Sequence, residues 1–366
     1  MGATSSPVLQ RLSVSGYRSL RQLVLDLGSV NVIVGPNGCG KTNLYRGLML
    51  VTAGAAGTLA RTLSEEGGIP SVTWAGPRKK NERVRVEIAV DLEDFDFELA
   101  LGPTPAVPGE PPHFALDPEV KEERAHVRDG RARHLVLERK DRTAFLRDSE
   151  GVRVTFPGAL WSGESVLSQL AEPHRFPVLS MLRMQFLGWR FYHHFRTDLD
   201  APLRQPQIGI RTPVLAHDGR DLAAALQTIL TIGDAQGLMT HLRNAFPGAE
   251  LEIEAIDGRF RTLLSLPTLL RPLDTRELSD GTVRYLCLLA ALLSPRPPPL
   301  LALNEPETSL HPDLLGPLAA LLAAAAERSQ LWVTTHSEAL AGALGKLTRS
   351  EPIRLDKRDG VTVVAD

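Results

Sequence analysis

Residues Gly35-Pro36-Asn37-Gly38-Cys39-Gly40-Lys41-Thr42 fit G-x-x-x-x-G-K-[ST] in full. They stand between the apolar run Val30-Asn31-Val32-Ile33-Val34 and a stretch with helical spacing, Leu44 to Val51. A strand handing over to a helix through a glycine-rich loop is the setting in which this motif counts. Glycines let the backbone curl until its amides converge on phosphate, and the helix start adds the positive end of its dipole. Lys41 can then reach the β and γ oxygens of a nucleotide, and the Thr42 hydroxyl is placed to ligate magnesium.

Three later features share this chemistry. Leu300-Leu301-Ala302-Leu303-Asn304-Glu305 reads as an apolar strand ending in a polar pair, and ligands gather at the carboxyl ends of such strands. Residue 304 would hold magnesium directly or through water, and Glu305 would orient or deprotonate an attacking water. Thr334-Thr335-His336 closes the next strand, which would bring His336 to the γ-phosphate beside Glu305. Glu277 to Thr282 opens a helix running to Leu293. Ser279 reads there as an ordinary N-cap. A Ser and a Gly amide at a helix start also form an anion site, able to meet a γ-phosphate presented by another subunit.

The rest of the chain is read from pattern. Short strands are expected on either side of the Gly16-Tyr17-Arg18-Ser19 bend, and an antiparallel meander between Val84 and Thr155. Its strand candidates are Val84 to Val90, Phe95 to Leu101, Leu135 to Leu137 and Val152 to Thr155, with a proline-rich interruption from Pro103 to Pro112. Ser165 to Phe246 is mainly helical in pattern, with a strand candidate at Trp189 to Phe195, and Leu251 to Leu266 alternates like a strand. Beyond it helices and strands alternate to Leu344, the mark of a mostly parallel sheet. The expectation is one α/β head: a β-rich lobe over 8–160 with the phosphate loop, a mainly helical insert over 161–275, and a lobe over 276–366 with the remaining motifs.

Composition narrows the function classes. At 366 residues, 43% apolar and 23% charged, the chain can bury a full core. No run approaches the roughly 18 apolar residues of a membrane span. Met1 to Pro7 lacks the basic start and apolar middle of a secretory signal, so a cytoplasmic protein is expected. Cys39 and Cys287 cannot build a disulfide framework. Cys39 sits in the phosphate loop, but its side chain can point away from it, so redox control is not assigned. His193-His194 among Phe191, Tyr192 and Phe195 reads as a buried aromatic strand, because no Cys or carboxylate stands at ligand spacing. A net charge of −2 gives no global pull toward nucleic acid or lipid. Locally, Arg124 to Arg147 carries eight basic residues against three acidic ones, and Arg78-Lys79-Lys80 forms a second cluster. Either could track DNA phosphate.

Taken in chain order, Gly35 to Thr42, Leu278 to Thr282, Leu300 to Glu305 and His336 resemble the ATP-binding heads of the ABC superfamily. Within it they look most like RecF, SMC proteins and related AAA ATPases. Gly16-Tyr17-Arg18-Ser19-Leu20 is similar to the start common in that branch, and Glu307-Thr308-Ser309-Leu310-His311-Pro312 resembles its loop after the acidic strand. The resemblance implies an ABC-type P-loop ATPase head: a mixed central sheet, an antiparallel β subdomain and a helical signature subdomain. It implies ATP and Mg2+ as cofactors, with nucleotide contacts from Arg18, Asn37, Gly38, Cys39, Gly40, Lys41, Thr42 and Asn43. Glu305, His336 and Lys41 would carry catalysis. Thr42, Asn304 and a Gln would serve magnesium; Gln169 is the candidate and Gln185 its rival. Ser279 and Gly281 would contact ATP held by a second copy, giving a head-to-tail homodimer with Thr308, Ser309 and Leu310 at the seam.

The resemblance also bounds the role. No heptad repeat marks a coiled-coil arm, and after His336 about thirty residues remain, too few for an appended nuclease domain. Slow ATP hydrolysis acting on double-stranded DNA is therefore one expectation, and a switch or scaffold gating a separate effector protein is the other. A membrane transporter's nucleotide-binding subunit would share the motifs, but the Asp280-Gly281-Thr282 form, the Pro306-Glu307-Thr308 loop and the length speak against it.

Asn304 departs from the Asp most such heads carry. An amide oxygen still accepts a water ligand of magnesium but lacks the charge. Asn304→Asp is expected to tighten magnesium in a titration read by ATP turnover; an unchanged midpoint would mean that the amide serves the metal as well as a carboxylate does.

Overall fold

The computed structural model describes residues 8–80, 83–105, 113–130 and 132–365. Met1 to Pro7, most of the Pro103 to Pro112 loop and Arg131 lie outside them. The described residues gather into two compact units, one of 30–34 and 190–352, the other of 8–29, 35–189 and 353–365.

The first unit is built on parallel strands. Arg190–Tyr192, Leu300–Asn304, Gln330–Thr335 and Val30–Val34 pair in that order. Every residue of Gln330–Thr335 and of Val30–Val34 is buried. Strands covered on both faces must be apolar on both, which is why they read in the sequence as continuous runs rather than alternations. Gln330, Thr334 and Thr335 are polar at the strand ends, and Asn31 is polar within Val30–Val34, where its side-chain amide donates to the Leu331 carbonyl at 3.1 Å. Helices Leu222–Ile232, Ala235–Ala245, Asp280–Leu292, Leu315–Ala326 and Glu338–Thr348 share one apolar core with these strands. Register puts the strand ends level: Asn304 pairs with Thr334, and Thr335 pairs with Val34, the residue that leads into the glycine-rich loop.

The segment expected to be mainly helical also holds an antiparallel sheet. Glu250–Ile256 and Arg259–Ser265 form a hairpin, flanked by Gln207–Ile208 and Leu273–Asp274. Its turn is Asp257-Gly258 with φ of +49° and +73°, the left-handed pair a two-residue hairpin needs.

The second unit carries an eight-stranded antiparallel sheet. Leu20–Asp26, Leu9–Tyr17, Val86–Leu92, Phe95–Pro103, Pro118–Asp129, Ala132–Lys140, Thr143–Arg147 and Arg153–Thr155 lie side by side in that order. The twelve-residue strand Pro118–Asp129 has no counterpart among the sequence expectations, and neither does Thr143–Arg147. The helix after the glycine-rich loop runs over Lys41–Ala56 and stops at Gly57, whose left-handed φ of +73° lets it cap the last turn. It packs against the helix Pro177–Gly188, where the Thr52 hydroxyl donates to the Phe186 carbonyl. A hairpin of Ile353–Arg358 and Val361–Val364 completes the unit. Among the described residues no helix is long and apolar enough to cross a membrane.

Half of the basic residues in the run over Arg124 to Arg147 are tied up within the sheet. Arg124 pairs with Glu98 and Glu122, while Arg128 and Arg133 both pair with Asp96. Glu98 and Asp96 come from the neighbouring strand Phe95–Pro103 and Glu122 from the strand of Arg124 itself, so part of a run that is positive along the chain is offset within the sheet. Arg139 is fully buried. It donates to the carbonyls of Asp141, Trp161 and Glu164 and lies 3.9 Å from Glu123. Burial pushes the Glu123 carboxyl above its ordinary range, while hydrogen bonds from Ser165 and the Val166 amide act in the opposite direction. Arg139 thus ties the 161–164 loop to the sheet and is no DNA contact. Arg139→Met leaves a buried carboxylate and several carbonyls without their donor, and should lower the unfolding free energy by about 3 kcal/mol or more in urea titration.

Candidate functional site

The glycine-rich loop opens with Gly35, where a Cβ would stand 2.3 Å from the Leu355 carbonyl oxygen and 2.9 Å from Cys39 Sγ. Gly38 and Gly40 adopt φ of +79° and +111°, left-handed values that L side chains rarely take. Cys39 is buried, which removes it from ready oxidation. Lys41 is only 4% exposed. Its ammonium donates to the carbonyls of Gly35 and Pro36 at 2.6 and 3.1 Å, and among the described residues it meets no carboxylate. A buried cation without a counter-ion is costly unless an anion joins it, so the loop fits a phosphate-bearing ligand. The Thr42 hydroxyl makes no hydrogen bond among the described residues and is available to a magnesium ion. Asn43 donates to the Ser19 hydroxyl at 2.9 Å.

Arg18 stands elsewhere in its interactions. It adopts φ +47° in the turn between Leu9–Tyr17 and Leu20–Asp26. Its guanidinium lies 2.8 Å from Glu66 Oε2, which also accepts from the Tyr17 hydroxyl at 2.7 Å and from Arg46 at 3.1 Å. Gln169 is likewise engaged locally. Its Oε1 accepts from the Trp161 amide, and its Nε2 donates to the carbonyls of Trp161, Glu164 and Ser165. Gln185, on the helix Pro177–Gly188, is partly exposed.

In the first unit the strand ends bring three expected residues together. Asn304 accepts from the Thr334 hydroxyl at 2.8 Å. Glu305 takes φ +46°, its amide donating to the Thr334 carbonyl at 2.8 Å. His336 Nδ1 lies 3.8 Å from Glu305 and 3.4 Å from Glu307. Glu307 is the residue the sequence reading passed over. Only 5% of its side chain is exposed, and its Oε1 accepts from the Thr335 hydroxyl and from the His336 amide. A carboxylate that receives both donors fixes where His336 leaves the strand.

Two buried arginines support the same loops. Arg284 donates to the carbonyls of Glu305 and Pro306 at 2.9 and 3.3 Å, holding Glu305 in its left-handed conformation. Burial lowers its pKa from the ordinary value. Arg204 donates to the carbonyls of Thr275 and Leu278 and to Asp280, which fixes the start of the helix Asp280–Leu292. Ser279 caps that helix, its hydroxyl oxygen accepting from the Thr282 amide at 3.2 Å. A Cβ at Gly281 would sit 2.6 Å from the Ser309 carbonyl oxygen, so only glycine admits this approach. In the sequence these arginines look like any others, and only their neighbours in space distinguish them. Among the described residues no group of three His, Cys, Asp or Glu is arranged to hold a metal.

Residues 30–341 match the family described as "AAA domain, putative AbiEii toxin, Type IV TA system". The chain belongs to that family. Similar solved structures include an Smc head bound to the C-winged helix domain of ScpA, 15% identical over 98% of each chain with a TM-score of 0.57. A second is an Smc head domain with an extended coiled coil bound to the C-terminal domain of ScpA, derived from Pyrococcus furiosus. It is 14% identical, covering 98% of this chain and 96% of that one, with a TM-score of 0.55. At such identities the likeness shows the fold, and the fold is that of an SMC-type head. No curated protein matches the sequence. Family and fold together make the chain an ATPase of the SMC/ABC head type.

Glu307→Ala strips two donors of their acceptor and should lower the unfolding free energy by about 1–3 kcal/mol in urea titration. Glu307→Gln keeps an acceptor oxygen and should lose less. Equal stability of the alanine variant and the wild type would remove Glu307 as the support of His336.

Proposed function

We propose that the chain is one RecF/SMC-like ATPase head in which ATP binding draws two copies together head to tail and slow hydrolysis releases them. Lys41, Thr42 and the amides from Asn37 to Asn43 take the nucleotide and magnesium. Glu305 activates water, His336 attends the γ-phosphate, and Asn304 supplies a neutral magnesium ligand in place of a charged one, which slows turnover. Arg18 and Gln169 would have to leave their present partners to join the nucleotide; Gln185 becomes the stronger candidate for the magnesium-sensing Gln because its side chain makes no hydrogen bond among the described residues.

The observation that carries the dimer is the start of the helix Asp280–Leu292. Ser279 is exposed, and the amides of Asp280 and Gly281 find no acceptor among the described residues. Such a helix start suits a phosphate from outside the chain. For the target, the reading takes double-stranded DNA, in cytoplasmic repair, maintenance or genome defence. Arg21, Arg78, Arg83 and Arg85 line one cleft beside Trp74, with Glu87 as the acidic residue of its lining, and among the described residues Arg83 and Arg85 pair with Glu122 while Arg21 and Arg78 meet no carboxylate. A second reading, a switch that gates a separate effector protein, is favoured by the internal engagement of Arg124, Arg128, Arg133 and Arg139 and by the toxin–antitoxin description of the family.

Phosphate release across a range of protein concentrations, with and without linear double-stranded DNA at low salt, tests both. A rate per subunit that climbs with concentration, lies well above the Lys41→Ala variant and rises with DNA is expected. A concentration-independent rate would sink the shared-site dimer. A rate indifferent to DNA would move the target to an effector protein, and no excess over Lys41→Ala would leave an ATP-bound scaffold.

A further inference from the structure

Thr362, on the strand Val361–Val364, is 1% exposed although it is polar and far along the chain from any motif. Its hydroxyl lies 2.7 Å from the Cys39 carbonyl oxygen, in the middle of the glycine-rich loop, and 2.8 Å from the Ser19 hydroxyl. Its amide donates to the Ser19 carbonyl at 2.9 Å. Ser19 in turn accepts from the Asn43 side chain at 2.9 Å.

The protons in this chain of hydrogen bonds have only one arrangement. A carbonyl oxygen can only accept, so Thr362 donates to Cys39. Its single proton is then used, and Ser19 must donate to Thr362. The Ser19 oxygen is left to accept from the Asn43 amide. The relay Asn43 to Ser19 to Thr362 to Cys39 is complete, each hydroxyl giving one bond and receiving one. Ser19 and Thr362 are both buried, so neither can replace a lost partner with water at no cost.

What the relay fixes is one peptide. The unit Cys39–Gly40 is planar and trans, so its C=O and N–H point in opposite directions. Pinning the Cys39 carbonyl toward Thr362 turns the Gly40 amide away from the hairpin, and that amide has no acceptor among the described residues. Gly40 has to be glycine for the same reason: a Cβ there would stand 2.1 Å from the Thr362 hydroxyl and 3.0 Å from that of Ser19. Two residues on, Lys41 and Thr42 follow in the same loop.

We propose that Ser19 and Thr362 are positioning residues for nucleotide binding, holding the Cys39–Gly40 peptide in the orientation that offers the Gly40 amide to a phosphate oxygen. Both lie outside the span 30–341 that matches the family, so the match assigns them nothing. The inference rests on the reading of Gly35 to Thr42 as the nucleotide site. Neither residue touches the ligand; they act through the loop.

Thr362→Val keeps the shape and deletes the relay. It should weaken binding of a fluorescent ATP analogue by about tenfold, the size of one buried hydrogen bond and its stranded partner. In turnover it should raise KM while leaving kcat at saturating ATP within about twofold, since the loop can still be drawn into place by excess ligand. Thr362→Ser restores the hydroxyl and should restore affinity, which a purely packing role for the threonine methyl would not do. Ser19→Ala, cutting the relay one hydroxyl earlier, should weaken binding in the same direction, and it serves where the valine variant does not fold. Wild-type affinity in Ser19→Ala or in a folded Thr362→Val would overturn the proposal, as would failure of Thr362→Ser to rescue. Lys41→Ala is the control that separates the two levels. If it binds the analogue as well as the wild type, the loop is not the nucleotide site and both readings fall; if it loses binding while Ser19→Ala does not, only the relay falls.

Discussion

Parallel strands buried on both faces have nowhere to place polar residues except at their ends. Val30–Val34, Leu300–Asn304 and Gln330–Thr335 follow this constraint together: their interiors are apolar apart from Asn31, whose amide is satisfied by the Leu331 carbonyl, and each changes character at its carboxyl end. The glycine-rich loop follows Val34, the Asn304-Glu305 pair ends the second strand, and His336 follows the third. Chemistry-bearing side chains thus emerge from a core that fixes their backbone, without a separate device for each. The pairing of Asn304 with Thr334 and of Thr335 with Val34 levels the ends of these three strands.

Loops at such strand ends still have to be held, and here the work falls to buried charge. Arg284 reaches the carbonyls of Glu305 and Pro306, Arg204 those before the Asp280 helix, and Arg139 those of the 161–164 loop. Each uses the broad guanidinium fork to gather carbonyls that no regular ladder would satisfy. Glu307 performs the complementary task, gathering donors instead. The arginine richness of the chain therefore has a structural share that a count of charge along the sequence does not reveal.

The parallel strands and the motif residues were legible in the sequence because continuous apolar runs and a fixed glycine spacing are local signals. The strand Pro118–Asp129 was not, since the carboxylates of Glu119 and Glu123 are buried, the latter with partners from distant segments, and a bulge at Ala125 and His126 breaks the alternation. The hairpin of Ile353–Arg358 and Val361–Val364 was missed although Asp359-Gly360, with φ of +50° and +81°, is the turn pair of a tight hairpin. Its charged residues, Arg354, Asp356, Lys357 and Arg358, masked it. For the site, the identity of Lys41, Glu305 and His336 could be read locally. The partners that set their conformation, Glu307, Arg284 and Thr362, are defined by contacts across the fold, and so are the carboxylates Glu98 and Asp96 that pair with Arg124, Arg128 and Arg133.

The hydroxyls of Ser19 and Thr362 meet across 343 positions of chain. A contact of that separation closes late, because almost the whole polypeptide has to be ordered before it forms. On the ribosome the glycine-rich loop emerges hundreds of residues before Thr362 does. The nascent chain therefore carries its loop with the Cys39 carbonyl unclasped until Thr362 has been made. Coupling the loop to this distant hairpin makes nucleotide competence depend on a segment more than three hundred residues downstream of the loop's own strand.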